Sequence, residues 1–422
     1  MNKGIVAAGH PKTAEAAAEI LKAGGNAFDA AIAAMHTACI VEPALASLGG
    51  GGFLMAVPND STPILFDFFV QTPSRHKNLD AIDSRSFLCD FGSTQQEFII
   101  GCGTSAVPGY VKGIFEIAKR YSSMPMKELV QPALQMLKEG IEVTEMQAHI
   151  FRILTPIYLA ETSREIFEKG DDLFYRGEIA KAVNCISQSG GVVTYEDMAN
   201  YQVELRKPLE HSERKYADSN AEFDADLYEL YKQNLLNHAQ ANRGTTHISV
   251  IDRHRNAASV SVSNGEGCGT MIPGTSIMLN NMLGEHDVNP GGLTGWPSNS
   301  RLSSMMSPSV ARAPDSGLIA IGSGGSNRIP SAIQQVLVNL IDFRMSVEDA
   351  VRAPRVHFHQ NEAFVEDIFE NSELESVLQA FDSSTRFNKR DVFFGGVHTA
   401  KHADSEVAGF GDDRRGGISI AV

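Results

Sequence analysis

A threonine that follows a glycine begins a row of hydroxyl-bearing side chains past the middle of the chain. Two stretches, 244–252 and 257–263, alternate between polar and apolar residues, and a short polar segment separates them. Two alternating runs around a short polar loop predict a β-hairpin. If the hairpin is centred near His254, Thr245 lies directly opposite Ser263.

Side chains alternate between the two faces of a strand, so this register separates a polar face from an apolar one. The polar face would carry Thr245, His247, Ser249, Ser259, Ser261 and Ser263. The apolar face would carry Ile248, Val250, Val260 and Val262 and would pack on a core.

The position of Thr245 has a chemical use if the chain is cut between Gly244 and Thr245. Thr245 would then carry a hydroxyl nucleophile and a free α-amine, whose pKa of about 7.7–8 suits a base near neutral pH. A threonine activated by its own N-terminal amine is a known nucleophile arrangement. From this stretch alone, an ordinary edge hairpin with a polar outer face is the simpler interpretation, because Ser- and Thr-rich strands are common.

The composition excludes several classes of protein. The chain has 422 residues and a formal net charge of −15, without a basic stripe, which argues against nucleic-acid binding. No apolar run is long enough to span a membrane. The N-terminus lacks the apolar centre of a signal peptide, so we expect a cytoplasmic protein without a membrane partner.

Cysteine and histidine usage gives no sign of a metal site. The five cysteines are an odd number without close pairs, which fits neither a disulfide framework nor a zinc site. We interpret them as reduced, and Cys268 as a small buried side chain rather than a nucleophile. The histidines lack metal-ligand spacing, so no metal is predicted.

Two helices and a glycine run precede the hairpin. The first helix is predicted from Thr13 to Ala23, with Thr13 as its N-cap and Gly24 as its stop, and an Ala-rich second helix from Asn26 to Cys39. After the hairpin, Leu318 to Ile321 reads as a short buried strand. Its glycine-rich exit, Gly322 to Ser326, leads to a helix from Pro330 to Phe343.

The stretch Thr245-Thr246-His247-Ile248-Ser249-Val250 resembles the start of the small subunit of γ-glutamyltranspeptidases. Other segments resemble the same family in the same order, and together they span most of the chain. They are Glu42-Pro43 through Phe53, Ala106 to Gly109, Pro273 to Met282, Leu302 to Pro308, Gly322 to Ser326, Ala353 to His357 and Asp413 to Gly416.

This resemblance implies an α+β fold, the four-layer αββα sandwich of N-terminal-nucleophile hydrolases. The chain would be a precursor in which Thr245 attacks the Gly244 carbonyl. Residues 1–244 and 245–422 would become large- and small-subunit-like segments of one intertwined domain. Thr245 would then form an acyl-enzyme with a γ-glutamyl amide and pass the acyl group to water or an amino acid. The resemblance implies no cofactor and leaves a homodimer open.

The resemblance also assigns roles around the nucleophile. The backbone N–H groups of Gly324 and Gly325 would form an oxyanion hole. Ser263, where the family has threonine, would hydrogen-bond the Thr245 hydroxyl. Asn264, with one residue deleted nearby, corresponds to a substrate-binding asparagine.

Further residues would bind the charged groups of the substrate. Glu285 would hold the substrate amine, with Asp287 as the alternative. Ser303 and Ser304 correspond to paired serines that bind the carboxylate, although a turn capped by hydroxyls would explain them as well. The motifs 355–357 and 413–415 are interpreted as structural ion pairs.

Two departures from the family leave alternatives open. Phe69 stands where the family has an arginine that grips the glutamyl carboxylate, and phenylalanine offers no such contact. Arg75 or Lys77 could substitute, but solvated side chains are the simpler interpretation. A block near residues 209–240 is missing, so the chain is an internally shortened, divergent member. It could therefore be a silent relative that never matures, or an acylase of another N-acyl amide.

Overall fold

The computed structural model describes residues 4–90, 95–158, 171–209, 244–313, 317–359, 361–366, 378–403 and 406–422. Its strands are β1 (Gly4–Ala8), β2 (Gly51–Val57), β3 (Ile64–Phe68), β4 (Arg85–Asp90), β5 (Gln95–Ile100), β6 (Glu204–Arg206), β7 (Thr245–Asp252), β8 (Ala257–Ser263), β9 (Ser309–Ala313), β10 (Gly317–Gly324), β11 (Val356–His359), β12 (Glu362–Glu366), β13 (Ser383–Phe387), β14 (Gly396–His402), β15 (Val407–Phe410) and β16 (Ile418–Ala421). Its α-helices are α1 (Pro11–Ala23), α2 (Ala27–Val41), α3 (Tyr110–Tyr121), α4 (Met126–Leu129), α5 (Gln131–Glu139), α6 (Glu145–Tyr158), α7 (Asp171–Tyr175), α8 (Glu178–Gln188), α9 (Tyr195–Asn200), α10 (Ile329–Ile341) and α11 (Val347–Arg352).

The predicted hairpin is β7–β8, and its register is confirmed. Thr245 pairs with Ser263 and Ile251 pairs with Ala257 in an antiparallel ladder. The hairpin lies in the middle of a seven-stranded sheet with the order β16-β1-β7-β8-β2-β3-β6, so the interpretation as an edge hairpin is wrong. Strands from before and after Thr245 therefore interleave in one sheet.

The apolar face of the hairpin packs on a helical layer. Ile248, Val250 and Val260 belong to the same buried core as Ala31 and Met35 of α2. The N-terminus of α2 is capped by Asn26, whose side chain accepts hydrogen bonds from two backbone N–H groups of the first turn.

The ends of the first helix were predicted only in part. Gly24, with φ of 101°, ends α1 as predicted, because glycine adopts this left-handed conformation without steric cost. Thr13 is not the N-cap, however. His10 caps the helix and Pro11 is its first residue, a position where proline suits a helix because no N–H is needed there.

The polar face of the hairpin does not face solvent, because a second sheet covers it. This sheet has the order β15-β14-β10-β9. Ser259 donates a hydrogen bond to the Ile321 carbonyl (2.9 Å), and Ser249 donates to the His398 carbonyl (3.0 Å). The hydroxyls thus satisfy buried carbonyl groups between two sheets, which an isolated hairpin could not show.

Helices α10 and α11 lie on the outer side of the second sheet. Ile333 and Val336 of α10 share a core with Ile319 and Ile321 of β10. The order of layers is helix, sheet, sheet, helix, which confirms the four-layer α+β sandwich.

Buried ion pairs fix the C-terminal segment, as the sequence interpretation of two arginine motifs proposed. Arg355 Nη2 lies 2.7 Å from Asp412 Oδ2. Arg414 Nε donates to Glu366 Oε1 at 2.7 Å. Residues 210–243, which include most of the predicted missing block, lie outside the described residues.

Candidate active site

Thr245 is the first residue of β7, and a glycine of the second sheet lies against its backbone. Thr245 is 4% exposed. A Cβ atom on Gly324 of the second sheet would collide with the Thr245 carbonyl oxygen. Glycine at 324 is therefore what allows the second sheet to approach the start of β7.

The residue before Thr245 is held at both of its backbone polar groups. The Ser263 hydroxyl donates a hydrogen bond to the Gly244 carbonyl oxygen at 2.5 Å, and it accepts one from the Gly265 N–H at 3.1 Å. The Gly244 N–H donates to Glu266 Oε1 at 3.3 Å. The bond between Gly244 and Thr245 thus has a donor on its carbonyl oxygen and a hydroxyl-bearing residue on its nitrogen side.

The family resemblance implied that Ser263 hydrogen-bonds the Thr245 hydroxyl in a cut enzyme. In the uncut chain its hydroxyl contacts the Gly244 carbonyl instead, and the assignment for the cut enzyme stays a prediction. The oxyanion-hole assignment of Gly324 and Gly325 also stays a prediction. Gly325 has φ of +129°, and a Cβ there would lie 2.9 Å from the Gly395 Cα, so this turn requires glycine.

Three of the predicted substrate-binding residues are buried around the glycine loops next to Thr245. A Cβ on Gly265 would collide with Glu285 Oε1, so Glu285 lies against the loop that follows Ser263. Asp287 Oδ2 accepts a hydrogen bond from the Ser326 hydroxyl at 3.0 Å, directly after Gly325. Asn264 is fully buried, and neither of its side-chain amide atoms has a hydrogen-bond partner in the described part of the chain.

Ser303 and Ser304 lie in a loop, and carboxylate binding and a hydroxyl-capped turn are the two interpretations of their role. Ser303 is exposed and Ser304 is half-buried. The Ser304 hydroxyl accepts a hydrogen bond from the Met306 N–H at 3.1 Å, which is the contact of a hydroxyl-capped turn. Leu302 donates to the Val70 carbonyl and attaches this loop beside Phe69.

Phe69 occupies the same cross-strand row as Thr245. Ser263 of β8 pairs with Gly51 of β2. On the other side of β2, Gly52 pairs with Phe68, so in this antiparallel register Gly51 lies opposite Phe69. Phe69 is thus three strand spacings of about 4.8 Å from Thr245. It is 1% exposed and stacks on Phe53, with ring centroids 5.4 Å apart.

Neither basic residue near Phe69 in sequence takes the place of the missing arginine. Arg75 is exposed and lies 3.9 Å from Glu196. Lys77 donates to the backbone carbonyls of Ser187 and Gly191. Arg301, which the sequence interpretation did not single out, lies beside Phe69. It donates to the Phe69 carbonyl and lies 3.4 Å from Asp67.

Sequence reasoning also missed the charged contacts of the nucleophile. Arg415 Nη1 donates to the Thr245 carbonyl oxygen at 3.3 Å, although its motif was interpreted as structural. Glu42 Oε1 accepts from the Thr246 hydroxyl at 2.8 Å. Burial raises the pKa of Glu42 to about 7 and lowers the pKa of Arg415 to about 10. For Glu42, the signal in the sequence was the Glu42-Pro43 pair that follows the second predicted helix.

His247 is fixed as a neutral tautomer by the hydroxyls around it. Its Nε2 lies 2.9 Å from the Ser249 oxygen and its Nδ1 lies 2.8 Å from the Ser261 oxygen. The Ser249 hydroxyl proton is used on the His398 carbonyl, so Nε2 must carry the hydrogen and Nδ1 must accept. Burial, with a smaller contribution from the neighbouring His398, holds the pKa of His247 well below its usual value.

The segments that resemble the family meet in this region. The Asn280 side chain donates to the carbonyls of Gly49 (2.8 Å) and Ala106 (2.9 Å) and accepts from the Ala106 N–H (3.0 Å). Cys268 is buried nearby, and burial raises the pKa of its thiol to about 11, which does not suit a nucleophile.

The described ranges contain no cluster of three His, Cys, Asp or Glu residues that could hold a metal ion. No helix within them is long and apolar enough to cross a membrane.

Comparison with known proteins shows a consistent family. A family model for gamma-glutamyltranspeptidase matches residues 13–156, 151–219 and 213–422. The chain is 27% identical to the glutathione hydrolase proenzyme of Pseudomonas aeruginosa, over 85% of this chain and 83% of that protein. That alignment runs over 473 positions, more than the 422 residues of this chain, so the relative contains segments that this chain lacks.

Acylases are found among the similar proteins as well. The acylase ACY 1 proenzyme of Pseudomonas sp. (strain SE83) is 26% identical, over 84% of this chain and 82% of that protein. The crystal structure of cephalosporin acylase from Bacillus halodurans superimposes with a TM-score of 0.80 at 20% identity. It covers 99% of this chain and 96% of that one, which shows a shared fold.

Proposed function

Because the chain belongs to the γ-glutamyltranspeptidase family, we propose that it is a precursor that cuts itself between Gly244 and Thr245. The product is an amidohydrolase or acyltransferase with Thr245 as its N-terminal nucleophile. The observation that carries this proposal is the Ser263 hydroxyl on the Gly244 carbonyl oxygen, at the bond where Thr245 supplies its own hydroxyl. The names of both curated relatives, which are proenzymes, support it.

Self-cleavage follows from this arrangement. The Thr245 hydroxyl attacks the Gly244 carbonyl carbon, and the Ser263 donor stabilises the negative charge that develops on the oxygen. The C–N bond breaks, its nitrogen takes a proton, and an ester links Gly244 to the Thr245 oxygen. Water then hydrolyses the ester and leaves residues 1–244 with a new carboxylate and residues 245–422 with a free α-amine.

The same hydroxyl then acts on a substrate amide. The α-amine takes the hydroxyl proton while the Thr245 oxygen attacks the substrate carbonyl, and it returns the proton to the leaving amine. Gly324 and Gly325 supply the oxyanion hole. Water or an amino-acid acceptor removes the acyl group from Thr245.

We assign γ-glutamyl compounds as the first substrate class. The buried carboxylates of Glu285 and Asp287 suit an ammonium group. The Asn264 amide, which has no hydrogen-bond partner among the described residues, suits a polar substrate atom. Ser303 and Ser304 would bind the substrate carboxylate. The glutathione hydrolase name of one relative supports this class.

A second candidate is an acylase of another N-acyl amide, and Phe69 is the observation that favours it. Its fully buried ring stands where the family has an arginine that grips the substrate carboxylate. The loss of one charge-assisted hydrogen bond costs about 1.5–3 kcal/mol. The acylase names among the relatives support this alternative. A third candidate is a relative that never matures, because the missing block belongs to the large-subunit-like segment.

The first experiment is the intact mass of freshly purified parent protein beside Thr245→Ala and Thr245→Ser. We expect two fragments split at residues 244/245 in the parent, slower cutting in Thr245→Ser, which keeps a hydroxyl, and a single chain in Thr245→Ala. A parent that stays at 45.7 kDa would favour the silent relative.

The second experiment separates the substrate classes with three p-nitroanilides. The γ-glutamyl compound carries both the amine and the carboxylate, the glutaryl compound lacks only the amine, and the 4-aminobutanoyl compound lacks only the carboxylate. A preference of about 10-fold or more for γ-glutamyl over both analogues supports the first class, since such a ratio corresponds to about 1.4 kcal/mol. Cleavage of the 4-aminobutanoyl compound, which lacks the carboxylate, at least as fast as the γ-glutamyl compound supports the acylase, because Phe69 offers no contact to a carboxylate.

A further inference from the structure

Two residues of opposite charge, buried Glu42 and half-buried Arg415, contact consecutive residues at the start of β7. Arg415 Nη1 donates to the Thr245 carbonyl oxygen at 3.3 Å. Glu42 Oε1 accepts from the Thr246 hydroxyl at 2.8 Å, and its Oε2 accepts from the Thr13 hydroxyl at 2.9 Å. Glu42 is 3% exposed.

These two side chains come from distant parts of the chain and leave little free space. Glu42 follows the last residue of α2, while Arg415 ends the turn Asp413–Arg415 before β16. A Cβ on Gly9 would lie 2.8 Å from the Thr246 hydroxyl oxygen and 3.1 Å from Glu42 Oε1. The packing therefore restricts how far Glu42 and Thr246 can move apart.

We propose that Arg415 and Glu42 are positioning residues that hold the Thr245–Thr246 backbone and, through their opposite charges, set how readily the new Thr245 amine binds a proton. This inference rests on the proposed self-cleavage, which creates that amine.

The direction of each effect follows from its charge. The carbonyl oxygen and the nitrogen of Thr245 belong to one residue, so the guanidinium of Arg415 lies within about 7 Å of the amine. A nearby positive charge disfavours the protonated amine, which keeps it available as a base. Ionised Glu42 has the opposite effect. This effect is the weaker one, because Glu42 contacts the next residue along the strand and its pKa of about 7 leaves it only partly charged near neutral pH.

The other titratable groups around Thr245 at the start of β7 are not substituted in any of the variants below. They are Glu266 on Gly244, Glu285 and Asp287 at the glycine loops, His247 and His398 between the sheets, and Asp412. The pKa of His398 lies at about 4 and that of His247 lies well below 6.5, so both rings are neutral when the amine titrates.

The test compares Arg415→Met, Arg415→Lys and Glu42→Gln in matured protein, with Arg390→Met as the control. Arg390 pairs with Asp413 on the surface, so its variant removes a cation of the same kind away from the nucleophile. The readout is the pH at which the Thr245 amine becomes reactive toward acetic anhydride, measured by mass spectrometry. The acid limb of kcat/KM on the best p-nitroanilide is the second readout.

We expect Arg415→Met to move both readouts to higher pH by about one unit, the scale expected for one charge several ångströms away. Glu42→Gln should move them to lower pH by a smaller amount. Arg415→Lys, which keeps the charge, should stay closer to the parent than Arg415→Met, and Arg390→Met should not shift. A merely structural role would not produce shifts of opposite sign.

The outcomes separate this inference from the proposed function. A parent that does not cut itself overturns both. A parent that cuts, with unmoved readouts or shifts of the same sign in Arg415→Met and Glu42→Gln, overturns this inference alone. If Arg415→Met stays uncut, Glu42→Gln decides, and anything other than a shift to lower pH overturns it.

Discussion

Ser263 donates its hydroxyl to the Gly244 carbonyl oxygen at 2.5 Å while it pairs with Thr245 across the ladder. The Ser263 side chain therefore contacts the peptide bond that would be cut, and it lies next to the nucleophile that the cut would create. The Gly265 N–H on the Ser263 oxygen fixes the direction of the hydroxyl proton. Self-cleavage and later catalysis would thus share one donor, which leads to the first prediction.

Ser263→Ala should cut itself about 100-fold more slowly than the parent, since one lost oxyanion donor costs roughly 10²–10³ in rate. Ser263→Thr, which keeps the hydroxyl, should cut at a rate near that of the parent. The measurement is a time course of fragment formation by intact mass. Ser259→Ala removes a buried hydroxyl from the same strand face, away from Gly244, and serves as the control. Equal self-cleavage rates for Ser263→Ala and Ser259→Ala would show that Ser263 has no role in the cleavage step.

Asn264→Leu should weaken catalysis without weakening the fold. Its amide atoms have no hydrogen-bond partner in the described protein, so the free energy of unfolding should stay unchanged or rise by about 1 kcal/mol. Asn280→Leu is the matched control, because the Asn280 side chain makes four buried hydrogen bonds and its loss should cost about 3 kcal/mol or more. Urea unfolding in the uncut Thr245→Ala background measures both.

The kinetic part of this prediction uses matured Asn264→Leu. We expect kcat/KM on the preferred p-nitroanilide to fall about 10-fold or more, on the scale of one lost hydrogen bond of about 1.4 kcal/mol. A variant that loses stability but keeps its kcat/KM would show that the Asn264 amide is structural.

Gly324→Ala should stop self-cleavage even where the chain still folds. The added Cβ would collide with the Thr245 carbonyl oxygen, so either the second sheet or the start of β7 must move. Overpacking of this kind costs about 1–3 kcal/mol. Intact mass reports cutting, and thermal unfolding reports the fold. Normal cutting in a folded Gly324→Ala protein would contradict the close packing at Thr245.

His247 should make the fold less stable in acid. Its pKa in the folded protein lies well below the unfolded value of 6.5, so the unfolded chain binds the extra proton. The contribution of His247 to the free energy of unfolding is therefore complete above pH 6.5. As the pH drops under 6.5, this contribution decreases by about 1.4 kcal/mol per pH unit. In the Thr245→Ala background, the difference in unfolding free energy between His247 and His247→Asn should narrow from pH 7.5 to 5.5. A difference that does not change with pH would contradict the neutral buried ring.

The local structure around Thr245 was determined by the sequence itself. The period-two alternation and the polar turn predict the pairing of Thr245 with Ser263, because side-chain alternation and turn position together fix the register of a hairpin. The glycine that ends α1 was readable for the same reason, since a helix stop depends on the conformation of one or two residues. The ordered motifs indicated the family and, through it, the four layers.

The tertiary structure alone decided the surroundings of this hairpin. The polar face is buried because a distant second sheet supplies carbonyl partners for its hydroxyls, and no pattern within the hairpin encodes that sheet. Glu42 and Arg415 meet at Thr245 and Thr246 only because strands from both ends of the chain lie side by side. Sequence patterns report contacts within a few residues, whereas the charges around a nucleophile depend on which distant elements pack against it.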